Sequence, residues 1–129
     1  MSKTRKEAVR YWWEQAEASL ASAQREYNAE AYSFSVNRLY YALFYAVSAA
    51  LLDRRLSFSK HTGVRAAFHR EFIKSGLMAI EWGKLYDELF EDRQEGDYLA
   101  FVTFDQAYVK AKLDRCEEFL VTLHPLIAS

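Results

Sequence analysis

Apolar residues recur along the chain with helical period. Trp12, Ala16, Leu20, Ala23 and Tyr27 step by three and four, which makes one stripe on a helix from about Arg5 to Tyr27. Thr4 and Glu7 have capping-box spacing at its start. Asn28-Ala29-Glu30 is the expected break. A second helix, from about Ala31 to Asp53, is apolar nearly all round: Leu39, Tyr40, Tyr41, Leu43, Phe44, Tyr45 and Val47 leave it little polar face. Such a helix is covered on several sides, so it is expected at the centre. Arg38 is its only charge before Asp53.

Arg54 to His61 reads as a polar connector. A third helix follows from about Thr62 to Ser75, with Val64, Phe68 and Phe72 four apart and Gly76 as its stop. The fourth runs from about Met78 to Gln94. Its stripe is Met78, Trp82, Leu85, Tyr86 and Leu89, with Arg93 one turn further on the same face and Gly96-Asp97 as the exit. Thr103 and Gln106 repeat the capping-box spacing before a fifth helix, whose stripe is Val109, Leu113, Cys116, Leu120 and Leu123 and whose end is Pro125. Short connections make neighbours mostly antiparallel. The expected fold is all-α, an up-and-down bundle of five helices, with residues 1–129 forming one domain.

Composition supports this reading. At 129 residues and 51% hydrophobic content the chain can fill one core. Four Gly and one Pro argue against a turn-rich β-sandwich. One Cys, Cys116, excludes an internal disulfide and lies on the apolar stripe of the fifth helix, so it is expected in the core. No apolar run can span a bilayer and no signal-peptide pattern opens the chain, so a cytoplasmic location is expected.

Charge changes the picture through its distribution. The net value is −1, unlike a generic nucleic-acid binder. Residues 31–75 carry seven Lys and Arg against two acids, and residues 76–100 carry two against seven. The two stretches read either as solvated helix faces or as a basic surface for phosphates and an acidic one for a partner.

Several chemistries find no support. No Glu stands three residues before His61, His69 or His124, so the paired Glu-x-x-His of a di-metal bundle is missing. A Walker loop, a dinucleotide-binding glycine motif and a hydrolase motif are missing too. No metal and no cofactor is called for.

The remaining signal is a set of ordered blocks: Ser35 to Ala46 (SVNRLYYALFYA), Ser59 to Val64 (SKHTGV), Phe72 to Gly76 (FIKSG) and Leu89 to Tyr98 (LFEDRQEGDY). In this order and spacing, over roughly residues 8 to 123, they resemble the HEPN domains, named for higher eukaryotes and prokaryotes nucleotide binding. The likeness is to the short single-domain prokaryotic branch. The resemblance implies a homodimer and a toxin-like partner of a minimal nucleotidyltransferase. Active members look like metal-independent ribonucleases built on an R-x4-6-H motif. There Arg neutralises the phosphate and the charge that develops on it, and His moves a proton near neutral pH.

This sequence departs from that motif. Arg93 stands at the motif Arg, but position 98 is Tyr98 and no His follows until His124. A Tyr titrating near 10 is a poor base at neutral pH, although it can donate a hydrogen bond to phosphate. Some family toxins are silenced by adenylylation of a Tyr two residues past the His; Ala100 holds that place here. Arg93 and Tyr98 are therefore the candidate catalytic pair, with Arg38, Asp97, Lys60 and His61 as candidate ligand contacts. The expected function is a nucleotide- or RNA-phosphate-binding module, catalytically weak or inactive, of a toxin–antitoxin-type pair with a nucleotidyltransferase. The alternatives are a metal-independent ribonuclease toxin and a structural dimer or adaptor. Arg54 and Arg55 also precede His61 by motif-like spacings, but they fall in the connector, the wrong element for the family. Arg65 and His69 read as exposed polar neighbours.

Overall fold

The computed structural model describes the backbone of residues 2–98 and 103–128 and the side chains of residues 4–94 and 103–128. Within them lie five α-helices: α1 (Ser2–Asn28), α2 (Tyr32–Asp53), α3 (His61–Phe68), α4 (Ile80–Tyr98) and α5 (Gln106–Leu123). A π turn over His69–Ile73 continues α3, and a 3₁₀ turn over His124–Leu126 follows α5. No strand occurs among the described residues.

The helix with the least polar face is the hub. α2 packs against α1, α3, α4 and α5. Val36, Leu39, Tyr40, Leu43, Ala46, Val47 and Ala50 of α2 are buried in the common core with Phe68, Phe72, Tyr86, Leu89, Phe119 and Leu123. Cys116 is fully buried there, and burial pushes its thiol well above the ordinary range, so it is no nucleophile at neutral pH. Two links fix the outer elements to α2. The buried Ser35 hydroxyl donates to the Ala23 carbonyl of α1 at 2.8 Å, and the Ala128 amide donates to the Asp53 carboxylate at 3.0 Å.

Both expected capping boxes fail. α1 begins at Ser2, so Thr4 stands inside its first turn. α5 is capped by Asp105 and not by Thr103: the Asp105 carboxylate accepts from the Tyr108 amide at 2.8 Å. Asp satisfies the same free amide and adds a negative charge beside the positive end of the helix dipole. Gly96-Asp97 is not an exit either, since the α4 backbone stays helical to Tyr98.

The third helix is shorter than expected as regular α-helix. Its second half is the π turn, where the Lys74 amide reaches back to the His69 carbonyl at 2.7 Å. The extra residue per turn changes where the side chains point. His69 thereby meets α4 at Gly83, where an added Cβ would fall 2.8 Å from its Cε1.

Candidate functional site

The site is built around Tyr41 on the half-buried face of α2. One turn earlier on that face stands Arg38, whose guanidinium lies 5.1 Å from the Tyr41 ring centre. Asn37 holds it in place, since the Asn37 side-chain oxygen accepts from Arg38 Nε at 3.0 Å and Nη2 at 2.6 Å. From α4, Arg93 brings its guanidinium to 5.4 Å from the Tyr41 ring centre and 5.5 Å from that of Tyr40. Arg93 Nη2 also donates to the Tyr41 hydroxyl at 3.1 Å. A cation over an aromatic face keeps its charge while losing part of its water, which strengthens its pull on an incoming anion. The placement of Arg93 on the apolar stripe of the fourth helix therefore puts it, half-buried, at the edge of the core.

A cleft of about 500 Å³ opens beside these groups. Asn37, Arg38 and Arg93 line it together with Phe34, Glu26 and Asp92. Phe34 is 69% exposed, so the cleft offers an open apolar ring next to two cations. Asp92 accepts a hydrogen bond from the Tyr108 hydroxyl of α5, which draws the carboxylate toward that helix.

His61 packs on the same two tyrosines and does not line this cleft. It is the first residue of α3, and it packs its ring 4.3 Å from Phe44, 5.7 Å from Tyr40 and 5.7 Å from Tyr41. Burial, first, and then the positive charge of Arg93 hold its imidazole below the ordinary value. His61 and Arg93 thus lean on the same two rings and feel each other's charge. Tyr40 between them is enclosed, and its hydroxyl is pushed up to about 12, chiefly by burial.

The other candidates separate. Lys60 is exposed in extended backbone just before α3 and does not line the cleft. Asp97 and Tyr98 belong to the helical backbone of α4, and their side chains lie outside the described residues. Arg54 sets its guanidinium over the Phe72 ring, 4.5 Å from its centre. Arg65 and His69 are not simple exposed neighbours. Both are half-buried and converge on one Asp87 oxygen, Arg65 Nε at 2.8 Å and His69 Nε2 at 2.9 Å. Among the described residues no group of three His, Cys, Asp or Glu side chains could hold a metal ion.

Comparison with known proteins gives the family. Residues 9–124 match the model of the HEPN domain. The chain belongs to the HEPN family. It is 46% identical over 119 residues to a "UPF0332 protein" of Thermotoga maritima, covering 92% of this chain and 90% of that one. It is also 36% identical over 107 residues to "Putative toxin MJ0142" of Methanocaldococcus jannaschii, covering 83% of this chain and 73% of that one. A second protein of that organism, "Putative toxin MJ0605", is 30% identical over 98 residues, with 76% and 73% covered.

In this HEPN chain Arg93 thus lies against α2, over the rings of Tyr40 and Tyr41. Two residues of the site had no role in the sequence reading. Asn37 orients Arg38, and Tyr41, expected mainly as core, carries the hydrogen bond to Arg93. Their spacing held a signal: Asn37, Arg38 and Tyr41 share one helix face, the only stretch of α2 that combines a charge with polar neighbours.

Proposed function

We propose that this HEPN chain is the toxin-type member of a toxin–antitoxin pair, that it binds the phosphates of RNA or nucleotides at Arg93 and Arg38, and that its partner is a nucleotidyltransferase. In this reading it acts in the cytoplasm as a homodimer. The observation that carries the reading is the pair of guanidinium groups on the Tyr41 ring, one fixed by Asn37 and the other by the Tyr41 hydroxyl, at a cleft with an open aromatic ring. Two oriented forks beside an apolar surface suit a phosphodiester and its base. The names of the two relatives called toxins support the toxin–antitoxin setting. No helix among the described residues is long and apolar enough to cross a membrane. With Tyr98 in place of the motif His, the motif by itself supplies no base at neutral pH, so binding is the first activity to test.

Fluorescence anisotropy with a labelled single-stranded RNA in EDTA, on wild type and Arg93→Ala, tests the proposal. A charge-assisted hydrogen bond contributes about 1.5–3 kcal/mol, so Arg93→Ala should weaken binding roughly 10- to 100-fold. Equal affinity of the two proteins, with both folded by circular dichroism, would leave the structural adaptor. A ribonuclease is the second reading, and the position of His61 against the same tyrosines favours it.

A further inference from the structure

We infer that the groove between α1 and α5 is the docking site for a basic amphipathic helix of a partner protein. The groove shares no lining residue with the Tyr41 cleft, so docking of the helix and binding of phosphate can succeed or fail separately.

Three clefts of about 550, 520 and 330 Å³ adjoin along the seam of the two helices, and Glu17 lines all three. They follow α1 from Lys6 to Gln24, which at 1.5 Å per residue is about 27 Å. A partner helix of about five turns has that length. The floor is apolar, with Trp13 and Leu20 lining it from α1 and Leu113 and Leu120 from α5. Val121 stands beside them 74% exposed, more than any other large apolar side chain among the described residues. An incoming helix with one apolar stripe would cover this floor and Val121 together.

Charge selects the flanks of that helix. Glu14, Glu17 and Glu117 line the groove and are exposed, and none of them is in an ion pair among the described residues. The neighbouring acids of α5 are already neutralised, Asp114 by Lys110 and Glu118 by Arg115. No Lys or Arg lines the two clefts at Val121. Lys or Arg beside the apolar stripe would lay its stem on the groove wall and bring its charge to these carboxylates. Lys6 and Arg10 stand at the far end only. They suit the carbonyl end of the docked helix, whose partial charge is negative, so the segment would lie antiparallel to α1. A second copy of this chain fits poorly. Two-fold pairing of the face with itself would set Glu17 and Glu117 against the same acids of the other copy.

The test uses the full chain and a labelled helical peptide of about 18 residues, with one Leu stripe flanked by Lys. A Leu/Glu peptide of the same pattern is its counterpart. In fluorescence anisotropy, wild type should bind the Leu/Lys peptide at least about tenfold more tightly than the Leu/Glu peptide. The double variant Glu17→Lys, Glu117→Lys should reverse that order. Its gain of affinity for the Leu/Glu peptide is a result that a misfolded variant cannot show. Val121→Ser should weaken the Leu/Lys peptide roughly tenfold through lost apolar contact. Sedimentation equilibrium should give wild type and Val121→Asp the same mass. Wild type that does not bind the Leu/Lys peptide overturns the inference. Equal affinity of wild type and the double variant for that peptide overturns it too, because the acids of the groove would then not be what the peptide meets. A wild-type dimer that Val121→Asp dissociates gives the groove to a second copy and overturns the choice of occupant.

Discussion

Tyr41 shows how one residue can serve both core and site. Its ring closes the half-buried face of α2 while its hydroxyl accepts from Arg93, and three cationic or basic groups surround it: Arg38, Arg93 and His61. Tyr40, one position earlier, is fully enclosed and belongs to the core. Periodicity alone does not separate the two, because adjacent residues on an all-round apolar helix differ only in what covers them. His61 was legible as a candidate by residue type, but its link to Arg93 was not, since 31 positions intervene and only packing joins them. That link has a measurable consequence. His61 titrates below its ordinary value in the folded state, from burial first and Arg93 second. The unfolded chain therefore takes up this proton first as the pH falls, so folding stability rises with pH through that window. The stability advantage of wild type over His61→Gln should be full above the ordinary imidazole value of about 6.5 and shrink as the pH is lowered below it. Melting temperatures of the two proteins across that range measure it. A constant difference would mean that the proton is not excluded from His61.

Where the helices end depends on chemistry that composition partly hides. The α1–α2 turn is a Schellman motif: the Glu30 amide donates to the Tyr27 carbonyl at 3.0 Å and the Ala31 amide to Glu26 at 2.8 Å. The end of α2 repeats it, with Arg55 donating to Leu52 at 2.8 Å and Leu56 to Leu51 at 2.9 Å. The left-handed positions are Glu30 at φ 61° and Arg55 at φ 66°, where glycine is the usual occupant. Gly76, at φ 85°, was readable as a stop for that reason. The break at Glu30 was located only because the apolar stripe ran out there, and the positive φ itself left no mark in the sequence. A non-glycine residue in this region costs about 1–2 kcal/mol, part of which a glycine returns in unfolded-state entropy. Glu30→Gly should therefore stabilise the protein by about 1 kcal/mol, seen as a higher urea midpoint at unchanged slope. A lower midpoint would mean that the Glu30 side chain contributes more than its backbone strain costs. The misassigned caps have the same origin. The capping-box pattern selected Thr103 by spacing, whereas Asp105, two residues on, offers the stronger acceptor.

Across the whole molecule the lopsided charge is folded against itself. The basic stretch before residue 76 and the acidic stretch after it meet where Arg65 and His69 bind Asp87. α5 neutralises more of the same acidic helix, through Arg115 on Glu81 at 2.6 Å and Lys112 on Glu88. A reading along the chain shows the two blocks and cannot show that they pair, because pairing is set by which helices pack. The consequence is a small cationic footprint. Arg38 and Arg93 line the candidate cleft together with the acids Glu26 and Asp92, on a protein of net charge −1. Each phosphate neutralised on single-stranded nucleic acid contributes about −0.7 to the slope of log affinity against log salt. Two such contacts should give a slope of about −1.4 for single-stranded RNA, and Arg93→Ala should reduce it by about 0.7. Anisotropy titrations over a salt series measure both values. A slope near −4, scarcely changed in Arg93→Ala, would require about six phosphate contacts and would move the binding face from the Tyr41 cleft to the exposed lysines and arginines of the α3 region.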